Sequence, residues 1–490
     1  MIEWPYESKP TVFTYNVFLV WHRFEDWKTE KMCSVFQELK KVLKMSTRAK
    51  TVKKADIFSN IIPIYYLSKF TGLSPLSLAY IHDQQRSDTI TMKTSIFGVL
   101  CNMFMLMWII GDQLYKLLFN HKNFAGKKTN YVMEFESVIY IISAVSSLIM
   151  SLIRIRKEMY KSLYNIFVVD NLIDTKCDIL TRNERYLRIQ LVTLIPIAFI
   201  IYAADIFVTN SDFNVGTLCG LSIYGCFFVK LVTIMQFVNL VSLLKQKFQI
   251  LNSYLSPAEN PTQHKTDNNL WEILLQTPCF RNEDNLNDDA LKMEAFYLAL
   301  NRRHYSNIIM QDSTSISIQN SWLHKEKIRC RALRIIWDVL CDISSSVNSM
   351  YGLQILLFTL SAFIKITANL SYSIVSKNVN VWANSEFYRD VLLPIILALM
   401  EFLQLFWITG TCSAACGEAH RSVTLLQKLL LVPELQPATA AEIQLFLHQV
   451  RDRKPKFTAC DFFTINYSLL GSTVGAVATF LVILVQMQAN

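Results

Sequence analysis

The sequence predicts an all-α, multi-pass membrane protein. It has seven transmembrane helices, the N-terminus inside, the C-terminus outside, and a re-entrant or interfacial segment ahead of the first span. Three observations carry this reading. Of 490 residues, 52% are hydrophobic and 18% charged, with mean hydropathy +0.27, where a soluble domain carries about a quarter charged residues. The apolar residues come in blocks of about 20, enough to cross a bilayer core. Lys and Arg are dense in every second connection and sparse between, the asymmetry that sets orientation.

The elements follow in chain order. No secretory signal is expected in the first 50 residues, which are charged and lack an apolar run ahead of a small-residue cleavage site. Within the N-terminal region 1–93, KMCSVFQELKKVLKMSTRAK (31–50) reads either as a basic amphipathic helix on the inner leaflet or as an ordinary solvated helix. The stretch 57–81 is long enough to span, but Pro63, Lys69, Gly72 and Pro75 interrupt it. A central charge and two prolines favour re-entry or an interfacial position. Seven apolar blocks lie near 94–112, 133–153, 187–208, 215–244, 347–371, 391–411 and 466–487. The long connection 245–346 contains a polar Asn-, Asp- and Pro-rich insertion over 252–289, followed by helical sequence running into the fifth span. Residues 412–465 read as a helical hairpin between the sixth and seventh spans.

Segments 1–93, 154–186, 245–346 and 411–465 hold 39 Lys and Arg, against 6 in the intervening connections. That difference places the first set inside. The net charge of +9 therefore marks the inner membrane face, and no nucleic-acid partner is expected.

The chemistry of sites is largely missing. HExxH, GxSxG and GxxxxGK[ST] do not occur, and the eight His are dispersed. An enzyme is not expected, nor any cofactor. Eleven Cys include no CxxC pair. Cys412 and Cys416 share a helix face, but two thiols without His partners make a poor zinc site, so no metal is expected.

Polar residues inside spans remain, and their cost in a bilayer makes them functional candidates. Asp205 lies near the outer end of the third span, Lys230 in the fourth, Lys365 near the outer end of the fifth and Glu401 in the sixth. The plain alternative for each is a snorkelling or mutually paired residue, and for Glu401 it is the favoured one. An outward cavity ringed by Asp205, Tyr224, Lys365 and Tyr388 suits a small ligand carrying hydroxyls or a charge. Pro394 is expected to kink the sixth span and widen it.

The last block, NYSLLGSTVGAVATFLVILVQMQAN, sets Gly471, Gly475 and Thr479 four residues apart, a small ridge that lets helices approach closely in a bilayer. Gln486 and Gln488 are polar without charge at its outer end. Copies of this helix could line a pore, with Leu481, Leu484 and Val485 as a dewetting constriction. The alternative is one more bundle helix with polar residues at the water interface.

The residues of this tail resemble a known family. TFLVILVQM (479–487) is similar to the Thr-Tyr-five apolar-Gln-Phe signature in the final helix of insect gustatory receptors; Thr479 and Gln486 keep their positions, while Phe480 replaces the Tyr and Met487 the Phe. KFTACDFFTINYSLLGSTVGAVATFLVILVQ (456–486) resembles the family's longer tail. PIYYLSKFTGLSPLSL (63–78) and DVLCDISSSVNSMYGLQILL (338–357) resemble its N-terminal stretch and its lead into the fifth span. The resemblance implies a ligand-gated, non-selective cation channel of sensory-neuron plasma membranes, a homo- or heterotetramer whose last helices line a central pore. It implies Gln486 and Met487 at the extracellular gate, Thr479 and Phe480 lower in that helix, and a small tastant, bitter or sugar, in the outer half of each subunit. Met487 keeps an apolar plug, though a more flexible one.

A G-protein-coupled receptor is the alternative. The inside N-terminus, the FVTNSDF ending of the third span and the missing Asn-Pro-x-x-Tyr in the last span oppose it. An odorant receptor shares the inverted topology, and only the tail signature favours taste. A transporter predicts internal repeats, and none is seen.

Overall fold

The computed structural model describes residues 57–74, 76–81, 89–119, 130–155, 215–256, 316–376, 391–431 and 437–489, with isolated positions between 158 and 203. The basic segment 31–50, most of the third span and the insertion beyond residue 256 lie outside the described residues.

The interrupted stretch 57–81 is not one helix. Helix α1 (Ile57–Phe70) stops in a left-handed turn at Gly72, whose φ is +75°. Gly72 N–H donates to the Lys69 carbonyl at 3.2 Å and Leu73 N–H to the Ser68 carbonyl at 2.8 Å, the paired bonds of a Schellman cap that glycine alone makes without strain. An antiparallel hairpin follows, β1 (Leu76–Ile81) on β2 (Thr89–Thr94), in register from Leu76 opposite Thr94 to Ile81 opposite Thr89. The all-α class holds, and this hairpin is a local exception to it: β-branched Ile and Thr dominate TITMKT, and this favours an extended ladder.

The turn at Gly72 sits deep among helices. Asn102 Nδ2 donates to the Gly72 carbonyl at 2.7 Å, to the Leu148 carbonyl at 3.0 Å and to Ser151 Oγ at 2.9 Å. Non-helical backbone at membrane depth is tolerated where protein satisfies it, and Asn102 does so here. Leu73, fully buried, packs with Ile109, Leu148 and Val229.

Helix α2 (Ile96–Phe119) begins at Ser95, whose Oγ accepts from Gly98 N–H at 3.3 Å as an N-cap does. Met103, Phe104, Met107 and Ile110 stay exposed along it, an apolar face suited to lipid. Helix α3 (Asn130–Met150) ends in one π-helical turn, Ser151–Ile155.

Three long helices form the frame: α4 (Val215–Leu255), α5 (Ile316–Ser376) and α6 (Leu393–Leu430), of 41, 61 and 38 residues. At about 1.5 Å per residue each far exceeds the ~30 Å of a hydrocarbon core. Their excess length packs with α7 (Pro437–Asp452) into the largest core. There Trp337 lies between Phe248 and Phe446, with ring centroids 5.1 and 6.5 Å away. Pro394 does not kink α6: it occupies the first turn, where its missing N–H would have had no partner.

Among the described residues five helices are long and apolar enough to cross a membrane: Ile96–Leu114, Ser137–Ile155, Ser222–Leu255, Cys330–Ile374 and Leu393–Leu430. The final helix, α8 (Tyr467–Ala489), contributes a shorter described apolar stretch, Tyr467–Ile483. Before it, β3 (Thr458–Ala459) pairs with β4 (Phe463–Thr464).

Candidate functional site

Two places concentrate what the sequence singled out. The first is a buried charge cluster between α3, α4, α5 and α6. Lys230 on α4 forms a salt bridge to Glu401 on α6, with side chains 4% and 3% exposed. Tyr140 on α3 donates its hydroxyl to the other Glu401 oxygen at 2.5 Å. Lys230 Nζ also donates to Tyr140 Oη at 3.3 Å and to Ser361 Oγ on α5 at 3.4 Å. Three helices thus meet on one carboxylate, and α5 joins them through the Lys230 ammonium. A charge this deep needs a partner and further hydrogen bonding to offset its desolvation, and Glu401 has both, in Lys230 and the Tyr140 hydroxyl.

Lys365 adjoins this group. Its Nζ lies 3.6 Å from the Phe227 ring centroid and 4.9 Å from that of Tyr140. At these distances the ring faces attract the cation. The Tyr140 and Phe227 rings meet edge to face at 4.4 Å, and Tyr224 lies 6.2 Å from Phe227. Two of the four residues expected around a ligand, Tyr224 and Lys365, are therefore joined through Phe227. Asp205 and Tyr388 lie outside the described residues.

Tyr140 and Phe227 were not anticipated from sequence. Aromatic residues inside an apolar block look like lipid-grade filling. The available signal was the presence of opposite charges in the fourth and sixth spans.

The second place is α8. Asn466 caps it, its Oδ1 accepting from Ser468 N–H at 3.1 Å. Leu470, Thr473 and Val477 are buried and pack, with Leu481, on the cluster of Ala362, Ile366, Ala398 and Leu405 from α5 and α6. At about 100° per residue, Gly471, Gly475, Thr479 and Gln486 fall on the roughly opposite face. That face is open: a Cβ built on Gly471 or Gly475 meets nothing within 4 Å, and Thr479 and Gln486 are exposed. Thr479 Oγ1 donates back to the Gly475 carbonyl at 2.9 Å. Phe480 is 46% exposed. Leu481 is half-buried and packs toward its own subunit. The side chains of Leu484, Val485 and Met487 lie outside the described residues.

The model of the 7tm Chemosensory receptor family matches residues 61–490. This chain belongs to that family. No curated protein matches. Among solved structures, the olfactory receptor OR5 of the insect Machilis hrabei is similar at TM-score 0.52 and 12% identity, covering 87% of this chain and 97% of its own. The same receptor in complex with eugenol matches over the same shares at TM-score 0.40 and 11% identity. At such identity the likeness is one of fold. The chain is thus a multi-pass membrane chemosensory receptor, and its family comprises receptors, not enzymes. Family membership implies seven spans, of which five are described as full-length apolar helices.

Proposed function

We propose that this receptor is a gustatory, ligand-gated, non-selective cation channel. In this reading four copies surround a pore lined by α8, with the N-terminus inside and the C-terminus outside the plasma membrane of sensory neurons. The observation that carries it is the free small-residue face of α8, opposite its packing stripe and ending in exposed Gln486. An apolar helix that buries only one stripe in its own subunit leaves a face fit for close approach to other copies or for water. The tail TFLVILVQM, with Thr479 and Gln486 in the places of the gustatory signature, favours taste over odorant detection. Gln486 and Met487 form the gate, with Thr479 and Phe480 below them. The small tastant, a sugar or a bitter compound, binds among Asp205, Tyr224, Lys365 and Tyr388.

The orientation rests on the charge asymmetry between connections. An epitope tag after Asn490, stained on intact cells expressing the full chain, tests it. Surface staining is expected; staining only after permeabilisation, with the receptor shown at the surface, overturns the pore assignment. Cation currents during application of a panel of sugars and bitter compounds test gating by tastants, and responses confined to volatile odorants favour the odorant alternative.

A further inference from the structure

Helix α5 carries Ser361 and Lys365 of the buried cluster, and it also grips the chain segment that leads into α8. Arg453, just past α7, bridges Asp338 and Asp342, one turn apart on α5. Gln449 Nε2 adds a bond to Asp338 at 3.1 Å. Further along the same helix, Asn348 donates its amide to the Lys456 carbonyl and accepts from Thr458 N–H at 3.2 Å. Two thiols close the underside: Cys341 Sγ lies 3.6 Å from the Arg453 carbonyl and Cys416 Sγ 3.5 Å from the Pro455 carbonyl. At Gly352 a side chain would meet Cys460 N at 3.1 Å, so the linker lies directly on the α5 backbone.

The linker is itself stiff. Phe457, Ala459 and Ile465 are buried in the largest core, the β3–β4 pairing closes the loop, and Ile465 N–H donates to the Phe457 carbonyl at 2.8 Å. One residue later Asn466 caps α8. A displacement of α5 at Asp338–Gly352 therefore reaches the start of α8 with little slack between them. Beyond Asn466 the described contacts of the chain with its own subunit are Tyr467 against Phe406, ring centroids 6.3 Å apart, and the stripe from Leu470 through Val477 to Leu481.

We infer that Arg453, with Asp338, Asp342 and Asn348, positions the pore helix by clamping its lead-in segment to α5, the helix that also carries the candidate ligand site. This rests on the reading of α8 as pore-lining. The clamp residues act through the linker and set how far α8 is open at rest. The helix is a direct rod between the two places, about 40 Å from Asp338 to Lys365 at 1.5 Å per residue.

The test uses the full chain with Arg453→Met, Asn348→Leu and the conservative Arg453→Lys. Site-resolved labelling with N-ethylmaleimide reads linker release: Cys341 and Cys416 gain labelling in Arg453→Met and Asn348→Leu, while buried Cys412 stays protected and reports an intact fold. Basal cation current per surface receptor reads the pore. It rises about two- to fivefold in both variants, the scale of a partly exposed ion pair, with the sodium-to-potassium permeability ratio unchanged. Arg453→Lys lies between, because an ammonium does not span two carboxylates as a guanidinium does. Unchanged labelling, or raised labelling with unchanged current per receptor, overturns the inference. The pore reading is tested separately in the same cells by Gln486→Glu, which is expected to change the permeability ratio. If that variant leaves the ratio unchanged, the pore reading falls, whatever the clamp variants do.

Discussion

Replacing Glu401 by Gln removes the carboxylate that forms the salt bridge to Lys230, which also donates to the Tyr140 and Ser361 hydroxyls. The burial of the pair decides the magnitude. An exposed pair contributes at most about 1 kcal/mol, but these side chains are 4% and 3% exposed. Breaking a buried pair by removing one partner costs about 3–5 kcal/mol. Glu401→Gln and Lys230→Met should each cost on that order. The double replacement Lys230→Met/Glu401→Leu removes both charges and should recover most of the loss. Thermal unfolding of the purified full chain in detergent, together with surface labelling in cells, measures this as a double-mutant cycle. Additive losses, with the double variant worse than either single one, would refute the view that the two residues act as a pair.

Three further outcomes follow from the packing. Gly72→Ala places a Cβ 2.4 Å from Asn102 Cα at a φ of +75°; the conformational penalty is about 1–2 kcal/mol before the clash is counted, and thermal stability should fall. Gly225→Ala meets Trp108 Cζ3 at 2.8 Å, so it should destabilise α2 against α4 by about 1–3 kcal/mol, and Trp108→Leu should relieve it in the same melting assay. Trp337→Ala, in a fully buried aromatic stack, should cost about 3–5 kcal/mol and lower the surface level of the receptor; an unchanged melting point would place the stability of the long-helix core elsewhere.

The membrane class was legible because apolar block length is a one-dimensional signal, and it survives intact in Ile96–Leu114, Ser137–Ile155 and Leu393–Leu430. The partners of intramembrane charges were not legible. Lys230 and Glu401 stand 171 residues apart, and their meeting depends on the relative depth of two helices, which no local pattern encodes. Pro394 illustrates a boundary effect: it lies within the first turn of α6, where a proline is an ordinary residue and not a kink-former. The β1–β2 hairpin was not legible: the interruptions in 57–81, Gly72 among them, marked a break in the segment but not the pairing of Leu76–Ile81 with Thr89–Thr94. On α8, the small ridge was legible from spacing alone. The packing of Leu481 on α5 and α6 was not legible, because a helix hydrophobic all round does not reveal which stripe its own subunit covers.

The claim at the centre of this account is that the open face of α8 lines the conduction path. Gln486→Cys in the full chain, exposed from outside to a membrane-impermeant cationic thiosulfonate reagent during current recording, tests it most directly. The account predicts rapid, dithiothreitol-reversible block, absent in the unsubstituted receptor and weaker in Val482→Cys, deeper in the same helix. Covalent labelling of Gln486→Cys at the surface with no change in current would contradict it.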